Sequence, residues 1–68
     1  MITIETNRIY SIYTRKNNHI QWRYAEYQGR YETEEQALNV AKQRIEGNFE
    51  YRIEDLEGNL VKTGCIVR

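Results

Sequence analysis

Proline is absent from this chain, and cysteine and histidine occur once each. Without proline there is no imposed kink or lost backbone donor, so every segment is free to join one continuous fold. The lone Cys65 excludes a disulfide within the chain. Together with the lone His19 it leaves too few soft ligands for a structural metal site. The four glycines, Gly29, Gly47, Gly58 and Gly64, form no phosphate-cradling pattern. Neither a metal nor a cofactor is therefore expected. Net charge is missing too: ten Lys and Arg stand against ten Asp and Glu, which gives the chain no overall field to gather a polyanion. No apolar run approaches the roughly 20 residues that a bilayer-crossing helix needs, so no membrane association is expected. The opening Met1-Ile2-Thr3-Ile4-Glu5 lacks the basic start and apolar stretch of an export signal. An unpaired thiol with no such signal points to a reducing, cytoplasmic setting.

Sixty-eight residues fit a single small domain, 1–68, with no room for a second. Such a chain buries only about 60% of the surface exposed by its unfolded form, so its stability is marginal. Small domains offset this with disulfides, metals or a second subunit. With the first two removed, a homodimer through an uncovered sheet face or a strand edge is the device left. The charges, although balanced, are segregated. Residues 1–31 carry five cations against two acids (5 − 2 = +3), and residues 32–68 carry five against eight (5 − 8 = −3). The two halves are expected to neutralise each other across the sheet, with a dedicated basic face as the alternative.

Turn signals divide the chain. Asn17-Asn18, Gln28-Gly29-Arg30, Gly47-Asn48 and Glu57-Gly58-Asn59 are read as breaks. Between the second and third lies the clearest element, a helix over 33–46. Thr33 is placed to cap it, Gln36 to reach back, and Glu34 and Glu35 to favour the positive end of its dipole. Ala37, Leu38, Ala41 and Ile45 recur at helical spacing, with Val40 widening the stripe, and Gly47 is placed to close the helix. Downstream, Phe49, Tyr51 and Ile53 alternate with Glu50, Arg52 and Glu54, which predicts a strand with one wet face. A tight two-residue hairpin turn at Glu57-Gly58 or Gly58-Asn59 then leads into a strand over 60–67. Upstream, Ile20, Trp22 and Tyr24 alternate with Gln21, Arg23 and Ala25. The first strand, about 8–15, is ambiguous, because Tyr10 and Ile12 share one parity while Ile9 and Tyr13 share the other. Ile2 and Ile4 share the parity of Tyr10 and Ile12, so that strand is free to begin nearer the start of the chain.

The expected fold class is α+β: a ββαββ order forming a single four-stranded antiparallel sheet with one helix packed on one face. Its core is expected from Ile12, Trp22, Tyr24, Leu38, Ala41, Ile45, Phe49, Tyr51 and Ile53. The opposite sheet face has no cover in this chain.

Functional groups are scarce. His19 falls in a turn beside Asn17-Asn18, where nothing nearby is positioned to shift its pKa. Cys65 has no companion base and is expected as a buried strand residue. No catalytic role is assigned, and the chain is not expected to be an enzyme. Its most unusual feature is aromatic content, six Tyr and one Trp, interleaved with Arg on the upstream strands. Tyr and Trp suit strands and give a small core bulk. With Arg they are also the usual anchors of protein interfaces, and they can stack bases beside phosphate-binding cations. The first expectation is a small protein-interaction module, a regulator or inhibitor of a protein partner, with Tyr13, Arg15, Arg23, Tyr27 and Arg30 as partner-binding residues. The second is a nucleic-acid-binding domain using the same basic, aromatic hairpin. A third and weaker one is small-molecule binding at a subunit interface.

Overall fold

A computed structural model describes residues 8–16 and 25–68. Within them the elements run β1 (Tyr10–Arg15), β2 (Glu26–Tyr31), α1 (Glu34–Arg44), β3 (Phe49–Glu54) and β4 (Leu60–Ile66). The sheet order is β2-β1-β3-β4, every neighbouring pair antiparallel. The ββαββ architecture expected from the sequence is therefore the one found. β2 and β3 run parallel to each other with β1 between them, and α1 is the crossover that joins them.

Helix α1 begins where the cap chemistry places it. Thr33 is extended (φ −134°, ψ 159°), and its hydroxyl accepts from the Gln36 amide at 3.0 Å. The Gln36 side chain reaches back one residue further than in a standard capping box, accepting from the Glu32 amide at 3.0 Å. The helix ends earlier than the 33–46 span predicted. Ile45 is already extended, although its amide still donates to the Ala41 carbonyl at 3.0 Å. Gly47 does adopt positive φ (83°), but in the connection to β3 rather than as the residue that closes the helix.

The core forms where the stripe of α1 meets one sheet face. Ile12, Ala37, Ala41 and Ile53 are fully buried, with Phe49 and Tyr51 close behind. Tyr10, Tyr31, Leu38, Ile45 and Ile66 pack around them. The paired alanines let the helix approach the sheet closely, which is why they, rather than Leu38 and Ile45, sit at its centre. Trp22 and Tyr24, named for the core, lie outside the described residues. So do the strand read around Ile20–Tyr24, the Asn17-Asn18 turn, Ile2, Ile4 and His19.

Two expectations are corrected. Gln28-Gly29-Arg30 does not end a strand; it lies inside β2. The β1–β2 register steps from Ser11↔Arg30 to Tyr13↔Tyr27, so two residues of β1 span three of β2, a β-bulge. Gly29 takes φ 112° there, a conformation essentially restricted to glycine, and the chain passes through the bulge instead of turning back. Cys65, expected buried, is exposed, because β4 is an edge strand and Cys65 lies opposite Glu50 on the wet face.

The β3–β4 connection is also wider than a two-residue turn. The Asp55 amide donates to the Asn59 carbonyl at 2.9 Å, and Asp55 Oδ1 accepts from the Glu57 and Asn59 amides, each at 2.9 Å. These contacts hold the Asp55 carboxyl below the ordinary carboxylate pKa. The Asn59 amide is the largest cause, and partial desolvation opposes it.

Candidate functional site: the open face of the sheet

Residues directly opposite one another on neighbouring antiparallel strands share a face. The pairs Ile12↔Ile53 and Thr14↔Tyr51 face the helix, so Ser11↔Glu54, Tyr13↔Arg52 and Arg15↔Glu50 face away from it. Across β3–β4 the same rule puts Thr63 and Cys65 on the open side. This settles the parity that was ambiguous in the first strand: Tyr10, Ile12 and Thr14 point to the helix and Tyr13 to the open face.

On β2 the bulge decides the composition of that face. Tyr27 and Arg30 are three positions apart, and in a regular strand an odd separation would send them to opposite faces. The extra residue beside Gly29 restores the phase. Tyr27 comes opposite Tyr13 and Arg30 opposite Ser11 on the same side, while Gln28 turns inward and donates to Thr14 Oγ1 at 3.1 Å. The Tyr31 hydroxyl and Arg44 Nη1 donate to the Gln28 carbonyl, at 2.7 and 3.0 Å, and brace the bulge.

Four of the five candidate residues, Tyr13, Arg15, Tyr27 and Arg30, thus lie on one face. Arg23 lies outside the described residues. The Tyr13 and Tyr27 rings are tilted at 48° with centroids 5.3 Å apart, the separation at which aromatic pairs attract by about 0.5–1.5 kcal/mol beyond area burial. Tyr27 remains 53% exposed. Arg52, absent from the candidate set, sits 5.8 Å above the Tyr13 ring centroid and also binds Glu54 at 2.7 Å. Its alternation with Tyr51 and Ile53 assigned it to the wet side of β3. The β1–β3 register that sets it against Tyr13 was not legible in a single strand.

The cations on this face are largely matched. Arg15 Nε binds Glu50 Oε1 at 2.5 Å, as their directly opposed positions allow, and Arg30 Nε donates to Ser11 Oγ at 3.3 Å. Among the acids of the second half, Glu50 neutralises Arg15 from the neighbouring strand. Glu54 instead takes Arg52 of its own strand, and Asp55 is committed to the hairpin. Beside the Arg15–Glu50 pair, Thr63, Gly64 and Cys65 border a depression of about 220 Å³. Among the described residues no three His, Cys, Asp or Glu side chains gather as a metal would require, and no helix is long and apolar enough to cross a membrane.

Comparison with protein families, curated proteins and solved structures returns no match.

Proposed function

We propose that the chain is a non-enzymatic protein-interaction module that takes a protein partner on the open sheet face and acts as its regulator or inhibitor. The observation that carries this is the Tyr13–Tyr27 pair, flanked by Arg52 and half exposed on a face whose ion pairs are already made. Tyr presents a large amphipathic surface with few rotors to freeze, and Arg adds a planar donor fork, so both rank among the residues that dominate interface energies. A charge-balanced surface with an aromatic centre fits a protein of mixed polarity better than a polyanion.

The nucleic-acid reading ranks second. Arg15, Arg30 and Arg52 share a face with the exposed Tyr27 ring, a composition that a stacking platform uses. Glu50 and Glu54, however, neutralise two of the three cations, and the chain has no net charge.

Two measurements separate the readings. Fluorescence anisotropy with labelled single- and double-stranded oligonucleotides at low salt should give no saturable binding at micromolar protein. Affinity capture from the source cell should recover a partner with the wild-type chain, lose it with Tyr27→Ala, and retain it with Gln43→Ala on the outer side of α1. Tight nucleic-acid binding would overturn the proposal, especially if the slope of log K against log salt fell by about 0.7–0.9 for each cation removed. Capture that ignores Tyr27 would overturn it too.

A further inference from the structure

The two edges of this sheet are built differently. At the β2 edge the strand is interrupted by the Gly29 bulge, and its Gln28 carbonyl is occupied by Tyr31 and Arg44. Bulges and occupied backbone groups are the usual guards against strand addition. At the β4 edge, among the described residues, no side chain bonds to the backbone of Leu60–Ile66. The strand is nevertheless held at both ends. Asp55 fastens the hairpin through Asn59. Beyond the strand, the Arg68 amide donates to Asn48 Oδ1 at 2.8 Å and the Arg68 guanidinium bonds the Lys42 carbonyl. Leu60 and Val61 lie 60% and 37% exposed along this edge. β4 is thus an edge strand pre-set for pairing, with its one bulge confined to the end nearest the hairpin, opposite Ile53/Glu54.

The hydrogen-bond phase shows which groups are available. Asp55 turns its amide toward Asn59. By the alternation along a strand, Ile53, Tyr51 and Phe49 of β3 turn theirs to β4, and their opposites Lys62, Gly64 and Ile66 answer. Thr63 and Cys65 therefore direct their N–H and C=O groups out of the sheet edge.

We propose that β4 pairs antiparallel with β4 of a second copy of this chain, about a two-fold axis through Thr63. The pairing joins two four-stranded sheets into one continuous sheet. In this register Thr63 faces Thr63, Lys62 faces Gly64, and Cys65 comes beside Val61, the extra residue of the β4 bulge. The threonines make a cross-strand pair of a favourable kind, and each lysine is set against a residue with no side chain. Moving the axis to Lys62 would oppose two ammonium groups, and moving it to Cys65 would set Lys62 against Arg68. A register centred on Gly64 opposes no like charges but sets Lys62 against Ile66 and loses the threonine pair, so charge and pairing together favour a second copy in the Thr63 register. Because the axis stands perpendicular to the sheet, both Tyr13–Tyr27 pairs lie on the same side of the assembly. The inference nonetheless stands apart from the proposed function, since it uses the edge and not the face.

Sedimentation equilibrium under reducing conditions tests it. The wild-type chain should give about twice its 8.2 kDa mass at micromolar concentration. Thr63→Pro removes an N–H that faces outward, a position where an edge strand tolerates proline. It should give a monomer with an unchanged circular dichroism spectrum. Thr63→Cys combined with Cys65→Ser should form an interchain disulfide between the two position-63 thiols on mild oxidation, because hydrogen-bonded pairs stand about 5.5 Å apart at Cα. Lys62→Cys combined with Cys65→Ser, which brings no two thiols opposite each other in this register, should form none. A wild-type monomer at high micromolar concentration, or a Thr63→Pro dimer, would overturn the proposal. So would efficient Cys65–Cys65 crosslinking in the wild type, which demands a different register.

Discussion

Replacing Gly29 by alanine tests the device that assembles the open face. At φ 112° a Cβ conflicts with the backbone, and residues forced into such regions cost of order 1–3 kcal/mol each. The added methyl would also stand 2.7 Å from the Tyr31 hydroxyl and 3.1 Å from its ring carbon Cζ. That ring cannot retreat freely, because its hydroxyl donates to the Gln28 carbonyl at 2.7 Å and its body packs on the core. The two effects together place the destabilisation at about 2–4 kcal/mol. A domain of this size has only about 3–10 kcal/mol in all, at 0.05–0.15 kcal/mol per residue, so a large part of the folded population is at stake. Urea denaturation followed by far-ultraviolet circular dichroism measures the change. A synthetic chain with D-alanine at position 29, for which positive φ is natural, should recover most of the backbone part. The reasoning fails if Gly29→Ala is within about 0.5 kcal/mol of wild type, or if the D- and L-alanine chains are equally destabilised.

Three further perturbations address the packing and the hairpin. Gly64 has ordinary strand φ but lies under the Tyr51 ring, where a Cβ would meet Cζ at 2.7 Å. Gly64→Ala should cost about 1–3 kcal/mol by overpacking, and in a double-mutant denaturation cycle Tyr51→Leu should relieve most of that cost. Ala41, fully buried between α1 and the sheet, should tolerate leucine no better: Ala41→Leu is expected to lose about 1–3 kcal/mol in the same melt. Asp55 gives a pH dependence. Its folded pKa lies below the ordinary 3.8, so its contribution is fully present above that value and is lost as pH falls through the folded pKa. Acid titration of stability should therefore steepen below pH 3.8, and Asp55→Asn should flatten that limb.

The fold was legible because helix and strand periods were written strongly in the downstream half. Thr33, the Ala37–Ala41 stripe and the Phe49–Glu54 alternation each depend on neighbours close in sequence, and each is found where expected. β2 was not legible, because Gln28-Gly29-Arg30 carries the composition of a turn. Only pairing with β1, and the support of Tyr31 and Arg44, converts that glycine into a bulge. Cys65 was misplaced for a related reason. An apolar residue in a strand pattern reads as buried, but its exposure depends on β4 being an edge, which is a property of sheet order. The site was legible as a residue set and not as a geometry. Tyr13, Arg15, Tyr27 and Arg30 stood out by composition, whereas their common face depends on the bulge, and Arg52 entered only through cross-strand register.

The most direct test of the central claim is site-specific photo-crosslinking in the source cell. A benzophenone side chain replaces Tyr27 on the open face in one chain, and Gln43 on the outer side of α1 in another. The account predicts a discrete protein adduct from position 27, abolished when Arg52 is also changed to alanine, and none from position 43. An adduct from position 43 alone, or a nucleic-acid adduct from position 27, would contradict it.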